Sequence, residues 1–310
     1  MAKKMSSIKK LYEEICSLDN ERIAEIKKGI QDNTISYTFS NRLFVMVPSM
    51  HTKRDQAFRD FVSDLFDRVK PEMVLLEQPM DISRRSIDSR MNRNQASYND
   101  DIEWPFYLAK MHSIKIGFSD APLRDLVNFY LKMDDGIELF LFFYITAAYN
   151  ANRVLKLSAT DAYELSKNNI ISDFVYNQRP LYQYRNLLDS LQRKYKLGSI
   201  SKCIDFSMQG LVNKYIAKEP IIKLLAKEVN LHTPYPFYKK YKINKINTYV
   251  ESFRNLYMAD NFIKSLRIYK RVISINGVGH AIELRQHMFN MIENNFSKCQ
   301  MHRVRILRKC

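Results

Sequence analysis

Two histidines and a handful of acids stand where a chain could use them for chemistry. His51 follows an apolar run and a Pro48-Ser49 turn, and an imidazole there can serve as a base or as a metal ligand. Glu77 closes the apolar run Met73-Val74-Leu75-Leu76, where an acid must be exposed or held by a partner, because an unpaired buried charge costs too much. Asp120 ends a further apolar segment, just before Ala121-Pro122. His280 ends the run Asn276-Gly277-Val278-Gly279-His280. Two glycines after a buried strand let the backbone turn tightly and let a ligand come close. A helix opening at His280 would aim its amides at an anion or a developing oxyanion.

Each of these residues has a plainer reading. His51 in a loop can be a surface histidine, and Glu77 can be one half of a structural salt bridge. Asp120 before proline can shape a turn. Gly277 and Gly279 can form a tight turn with His280 there by accident. Glu103, three residues after Asp100, matches the acid of a capping box.

The familiar catalytic signatures are missing. There is no HExxH and no GxSxG. GxGxxG would need glycine at 282, where Ile282 stands. His112, His232, His287 and His302 do not gather at ligand spacing. The four cysteines (16, 203, 299 and 310) form no CxxC pair, and they read as reduced thiols in a cytoplasmic compartment.

Positioning these residues takes strands, helices and crossovers. Residues 43–48 (LFVMVP) read as a buried strand. Thr52, three residues before Asp55, resembles a helix N-cap. Phe58, Phe61, Val62, Leu65 and Phe66 repeat at helical spacing until Lys70-Pro71 stops them. Met73 to Leu76 is a second buried strand. Strand, helix and strand in this order predict a parallel crossover, whose ligand crevice lies beyond the carboxyl ends of the strands. Residues 81–101, with Arg84, Arg85, Arg90 and Arg93, form a long polar loop that could serve as a lid. A helix over 103–111 and a strand over 113–118 follow. Helical patterns dominate from Leu123 to Ile263, with a basic, Tyr-rich stretch over 185–245. RVISI (271–275) is the last strand and 282–292 the last helix.

The predicted fold is therefore α/β: a mostly parallel central sheet flanked by helices, with a large helical insertion. The expected organisation is an N-terminal helical extension (1–40), a first half of the core (41–122), a helical insertion or cap (123–253), a second half of the core (254–298) and a basic tail (299–310). The apolar run Leu139–Tyr149 is too short to span a bilayer and reads as a buried helix. The N-terminus lacks the apolar segment of a secretory signal.

The chain has 310 residues, 46% of them hydrophobic, which is ordinary globular usage rather than disorder. Its net charge of +16 favours an anionic protein or nucleic-acid partner, or is surface character alone. No RNA- or DNA-binding signature accompanies it.

The order of these pieces resembles the TraB / TIKI / erythromycin-esterase-like superfamily, which includes the ChaN-like proteins. Pro48-Ser49-Met50-His51 stands where that family has GxxH, with proline in place of the glycine. Lys70 to Glu77 matches the strand that ends in Glu. Glu103 to Asp120 matches a helix and a strand ending near an acid. Arg254-Asn255-Leu256-Tyr257-Met258-Ala259 precedes Gly277-Val278-Gly279-His280, as Arg-x-x-x-Met-Ala precedes GxGH in the family.

The resemblance covers roughly 120 residues. It implies that His51, Glu77 and His280 share one site, joined by Arg254 and Glu103. Family members include metal-dependent peptidases, esterases with a His base and iron- or haem-related binding proteins. It therefore implies a hydrolase of an ester or amide bond, with a small molecule or peptide as substrate. His51 or Glu77 would hold or deprotonate a water. His280 would be a general acid or a second ligand, and Arg254 would stabilise developing negative charge. A divalent transition metal (Mn, Fe, Co or Zn) on His51, Glu77, His280 and Asp120 suits the ligand types, and the same residues also work without metal. The rival class is a catalytically inactive binding or adaptor protein with an anionic partner.

Overall fold

The computed structural model describes residues 2–17, 33–49, 56–79, 102–122, 156–176, 198–215, 220–226, 243–296 and 298–304, with a few single positions between them. His51, the Thr52–Asp55 cap, the 81–101 loop, the 139–149 run apart from Ala148, about half of 185–245 and the end of the basic tail lie outside the described residues. The chain divides into two compact units, Met1–Leu123 with Glu251–Cys310, and Arg124–Val250.

The first unit is built on α1 (Ala2–Cys16), β1 (Ile35–Phe39), β2 (Arg42–Ser49), α2 (Gln56–Val69), β3 (Met73–Pro79), α3 (Glu103–Met111) and β4 (Lys115–Asp120). In the second, the described elements are α4 (Ala159–Tyr176), α5 (Ile200–Tyr215) and α6 (Ile221–Ala226). The boundary between units falls within α7 (Ile243–Ile268), after which β5 (Arg271–Gly277), α8 (Val278–Asn295) and β6 (Cys299–Arg303) complete the first unit.

Six strands form one sheet in the order β4-β3-β5-β2-β1-β6. The sheet is mixed. β4, β3, β5 and β2 run parallel, whereas β1 pairs antiparallel with both β2 and β6. The antiparallel side comes from two segments expected elsewhere. Residues 35–39, expected in a helical extension, turn through Ser40 into β2, and Ser40 adopts a left-handed φ of 49°. Residues 299–303, expected in a basic tail, pair with β1 from Cys299↔Phe39 to Arg303↔Ile35. α1 also packs inward, with Leu11 and Ile15 each 1% exposed.

The strands separate two apolar layers by simple alternation. Phe44, Met46, Leu75 and Val272 face Phe262, Leu266, Leu284 and Met288 of α7 and α8. Val45, Val47, Val74, Leu76, Ile273 and Ile275 face Phe58, Phe61, Leu65 and Phe106 of α2 and α3. Burial on both faces explains the near-continuous apolar runs of β2, β3 and β5. α2 ends at Lys70, whose φ of 48° breaks the helix ahead of Pro71.

One set of polar groups interrupts the layer beneath α7. The Ser274 hydroxyl donates to Asn276 Oδ1 on β5, and Asn276 Nδ2 reaches Ser119 Oγ on β4 at 3.5 Å. Ser119 donates to the Leu76 carbonyl of β3 at 3.1 Å, and Asn261 of α7 donates to the Ser119 carbonyl at 3.0 Å. All of these side chains are buried, and each finds a partner, as buried polar groups must. Among the described residues, no helix is long and apolar enough to cross a membrane.

Candidate functional site

β3, β4 and β5 reach their carboxyl ends side by side, the position at which open parallel sheets form a crevice. The pairing of β3 with β4 shifts between Leu76 and Pro79, so Leu76 lies opposite Phe118 but Pro79 opposite Asp120. Glu77 sits in that irregularity. A bulge of this kind re-aims side chains at a sheet's rim.

Glu77 is joined there by Asp120 from β4, Arg254 from α7 and His280 from the first turn of α8. Arg254 Nη2 lies 2.8 Å from Glu77 Oε1 and 2.7 Å from Asp120 Oδ2. Its Nε donates to both oxygens of Asp120, at 3.1 and 3.2 Å. Its Nη1 donates to Glu251, one turn earlier on α7, at 3.0 Å. Every guanidinium nitrogen thus donates to a protein carboxylate, and these neighbours outweigh burial to push the Arg254 pKa further above its ordinary value. The geometry makes Arg254 a counter-ion. To bind an oxyanion it would have to give up one of these bonds.

His280 is buried, at 5% exposure. Its Nε2 lies 3.1 Å from Glu251 Oε2 and 3.3 Å from Glu77 Oε1. Burial disfavours the charged ring, but Glu77 and Glu251 override it against the opposing charge of Arg254, and the pKa rises to about 9. Near neutral pH His280 is therefore an imidazolium, held between two carboxylates. The other oxygen of Glu77 accepts the backbone N–H of Gly277.

On the far side of the ring, Nδ1 lies 2.5 Å from Asn255 Oδ1, and Asn255 Nδ2 donates to Glu283 Oε2 at 2.6 Å. Burial raises the Glu283 pKa, Glu251 adds to it, and His280, Asn255 and Arg254 oppose them; the result is about 7.

The structure brings together Glu77, Asp120, Arg254 and His280 from the sequence-derived set. His51 lies outside the described residues. Glu103 opens α3 and makes none of the cluster's hydrogen bonds among the described residues. Nor is it the third residue of a capping box, because α3 starts at Glu103 itself with Ile102 at the N-cap and no side-chain cap. The glycine turn also differs from expectation. Gly277 has φ −51° and ψ 143°, open to any residue, and a Cβ on Gly279 would meet nothing within 4 Å. Neither glycine is demanded by the backbone.

Glu251, Asn255 and Glu283 belong to the cluster and were not among the candidates. Spacing offered a weak signal. Glu251 precedes Arg254, and Glu283 follows His280, by one helical turn, which puts each pair on one face.

Nitrogen and oxygen donors of this kind suit a transition metal by type. Here, however, the carboxylates of Glu77, Asp120 and Glu251 already face Arg254 and His280. Among the described residues, no group of three or more His, Cys, Asp or Glu is arranged to hold a metal ion. No protein-family model matches the chain, and no curated protein matches it in sequence.

Proposed function

We propose that the chain is a hydrolase of an ester or amide bond. The observation that carries this reading is the placement of His280 Nε2 between Glu77 and Glu251, at the carboxyl end of parallel strands. An imidazolium there is a general acid in reach of two carboxylates that can take up a proton. Water attacks the carbonyl carbon and gives its proton to Glu77. His280 donates its Nε2 proton to the leaving oxygen or nitrogen as the bond to carbon breaks. Glu77 Oε1, 3.3 Å from Nε2, then returns the proton to the ring. Arg254 holds the carboxylates in place. The resemblance to the TraB / TIKI / erythromycin-esterase-like superfamily supports the same reading, and it would add His51 as a base. The metal-free form is preferred because a guanidinium and an imidazolium already neutralise the acids.

The test is hydrolysis of a panel of chromogenic esters and anilides by the full chain. Turnover of at least one is expected, falling about 100-fold or more in both His280→Gln and Glu77→Gln. No turnover of either class, or turnover unchanged in both variants, overturns the proposal.

A second reading is favoured by the net charge of +16, which suits an anionic partner. Salt-titrated binding to nucleic acid separates the two. Affinity that falls steeply with salt marks phosphate contacts.

A further inference from the structure

Glu283, Asn255 and the Nδ1 edge of His280 take no part in the proton transfers above, yet all three residues are buried. Their contacts are short: 2.5 Å from His280 Nδ1 to Asn255 Oδ1, and 2.6 Å from Asn255 Nδ2 to Glu283 Oε2. The two ends of an asparagine amide have the same shape, and either can face a ring nitrogen. Glu283 breaks that symmetry. An ionised carboxylate can only accept, so once Glu283 is ionised, above its pKa of about 7, the amide nitrogen turns to it and the amide oxygen turns to the ring. That oxygen can only accept, so Nδ1 must carry a hydrogen. The atom left for the site is Nε2, which faces Glu77 and Glu251.

We propose that Asn255 is a positioning residue: oriented by Glu283, it fixes a proton on His280 Nδ1 and leaves Nε2 as the ring atom that exchanges protons with the site. The proposal rests on the reading of His280 as the group that handles the proton. It follows that the ring keeps its Nδ1 hydrogen in both its charged and its neutral state. A reversed amide would set two donors against each other whenever the ring is charged. It would also hand the exchangeable position to Nδ1, which faces away from Glu77 and Glu251. Orientation through a second residue is common where a histidine must present one nitrogen.

The test is nuclear magnetic resonance of the full chain carrying 15N-labelled histidine, with the His280 signals identified by their loss in His280→Gln. In the unaltered chain, a His280 Nδ1–H resonance is expected far downfield and slow to exchange with water, and it should persist while Nε2 alone changes shift with pH. Asn255→Leu should make that hydrogen exchange about tenfold faster or more, because its acceptor is gone. Asn255→Asp alone, read at a pH where Glu283 is ionised, sets two carboxylates against one another and should also weaken the signature. Adding Glu283→Gln supplies a donor again, and the double variant should restore the protected hydrogen.

A bare Nδ1 on the neutral ring of the unaltered chain overturns the proposal without any variant. So does an Asn255→Leu chain with unchanged ring signals, or a double variant without restoration. The readout needs no substrate. An intact signature without turnover removes only the hydrolase reading, and turnover with a bare Nδ1 removes only the role of Asn255.

Discussion

Arg254 and Asp120 stand 134 positions apart in sequence, yet they meet along two edges, Nε to Oδ1 at 3.1 Å and Nη2 to Oδ2 at 2.7 Å. This pairing joins the end of β4 to the middle of α7, and the same guanidinium reaches Glu77 and Glu251.

Lysine cannot reproduce a planar, forked set of donors. Arg254→Lys should therefore destabilise the fold, and Arg254→Leu should cost about 3–5 kcal/mol, because three largely buried carboxylates lose their shared cation. Urea denaturation measures both. A loss below about 1 kcal/mol in the leucine variant would show that the carboxylates are satisfied in another way.

Stability should fall as pH rises, in two overlapping steps. Glu283 has its folded pKa raised from 4.5 to about 7 by burial and by Glu251, against His280 and Arg254. Its contribution is whole below 4.5 and is lost as pH rises through 7. His280 has its folded pKa raised from 6.5 to about 9 by Glu77 and Glu251, against burial and Arg254. Its contribution is whole below 6.5 and is lost as pH rises through 9. Each step is worth at most about 3 kcal/mol. Denaturation midpoints at about pH 5, 7 and 9 test the sign, with Glu283→Gln expected to flatten the lower step and His280→Gln the upper. Stability that climbs over this range contradicts both assignments.

Gly279→Ala should fold normally. The position lies in the first turn of α8 with open space around a new Cβ, so the expected change in unfolding free energy is within about 1 kcal/mol. Gly117 is the contrast. Its Cβ would fall 2.5 Å from Met73 Cε and 2.8 Å from Leu75 Cδ2, and Gly117→Ala should cost about 1–3 kcal/mol through that crowding. Thermal unfolding of the two variants side by side is enough. Equal effects would mean that β4 has more room than its packing against β3 suggests.

Dialysis against a chelator should leave melting temperature and turnover unchanged, because Arg254 and His280 supply the positive charge among the acids. A stoichiometric transition metal that disappears in both Glu77→Gln and His280→Gln would favour the metal-assisted branch instead.

The inner strands were legible because burial on both faces leaves an unbroken apolar run, as in Phe44 to Val47 and Met73 to Leu76. α2 was legible from its phenylalanine spacing. β1 and β6 were not, because Ser36 and Thr38 interrupt one and Gln300, His302 and Arg303 dominate the other, as befits strands with a less apolar surface. At the site, Glu77 and Asp120 stood out as acids that end apolar strands. Glu251, Asn255 and Glu283 did not, because a polar residue inside a helix reads as solvated until its partner is known. For Asn255 that partner is a ring 25 positions away. Asp100 and Glu103 had the spacing of a cap, but the helix begins too late to use it.

The buried rungs of Ser274, Asn276, Ser119 and Asn261 also limit the errors that folding can make. Apolar strands of similar composition can slide past one another at little cost, since valine and leucine accept many neighbours. If β4 slid one step against β3, or β5 turned over by one residue, a hydroxyl or an amide would be thrust into the wholly apolar layer of Phe58, Phe61 and Phe106 with nothing to bond. Misaligned arrangements are therefore penalised independently of the charged cluster. The acids and the imidazole can assemble correctly because a few small polar groups beneath them act as alignment pins.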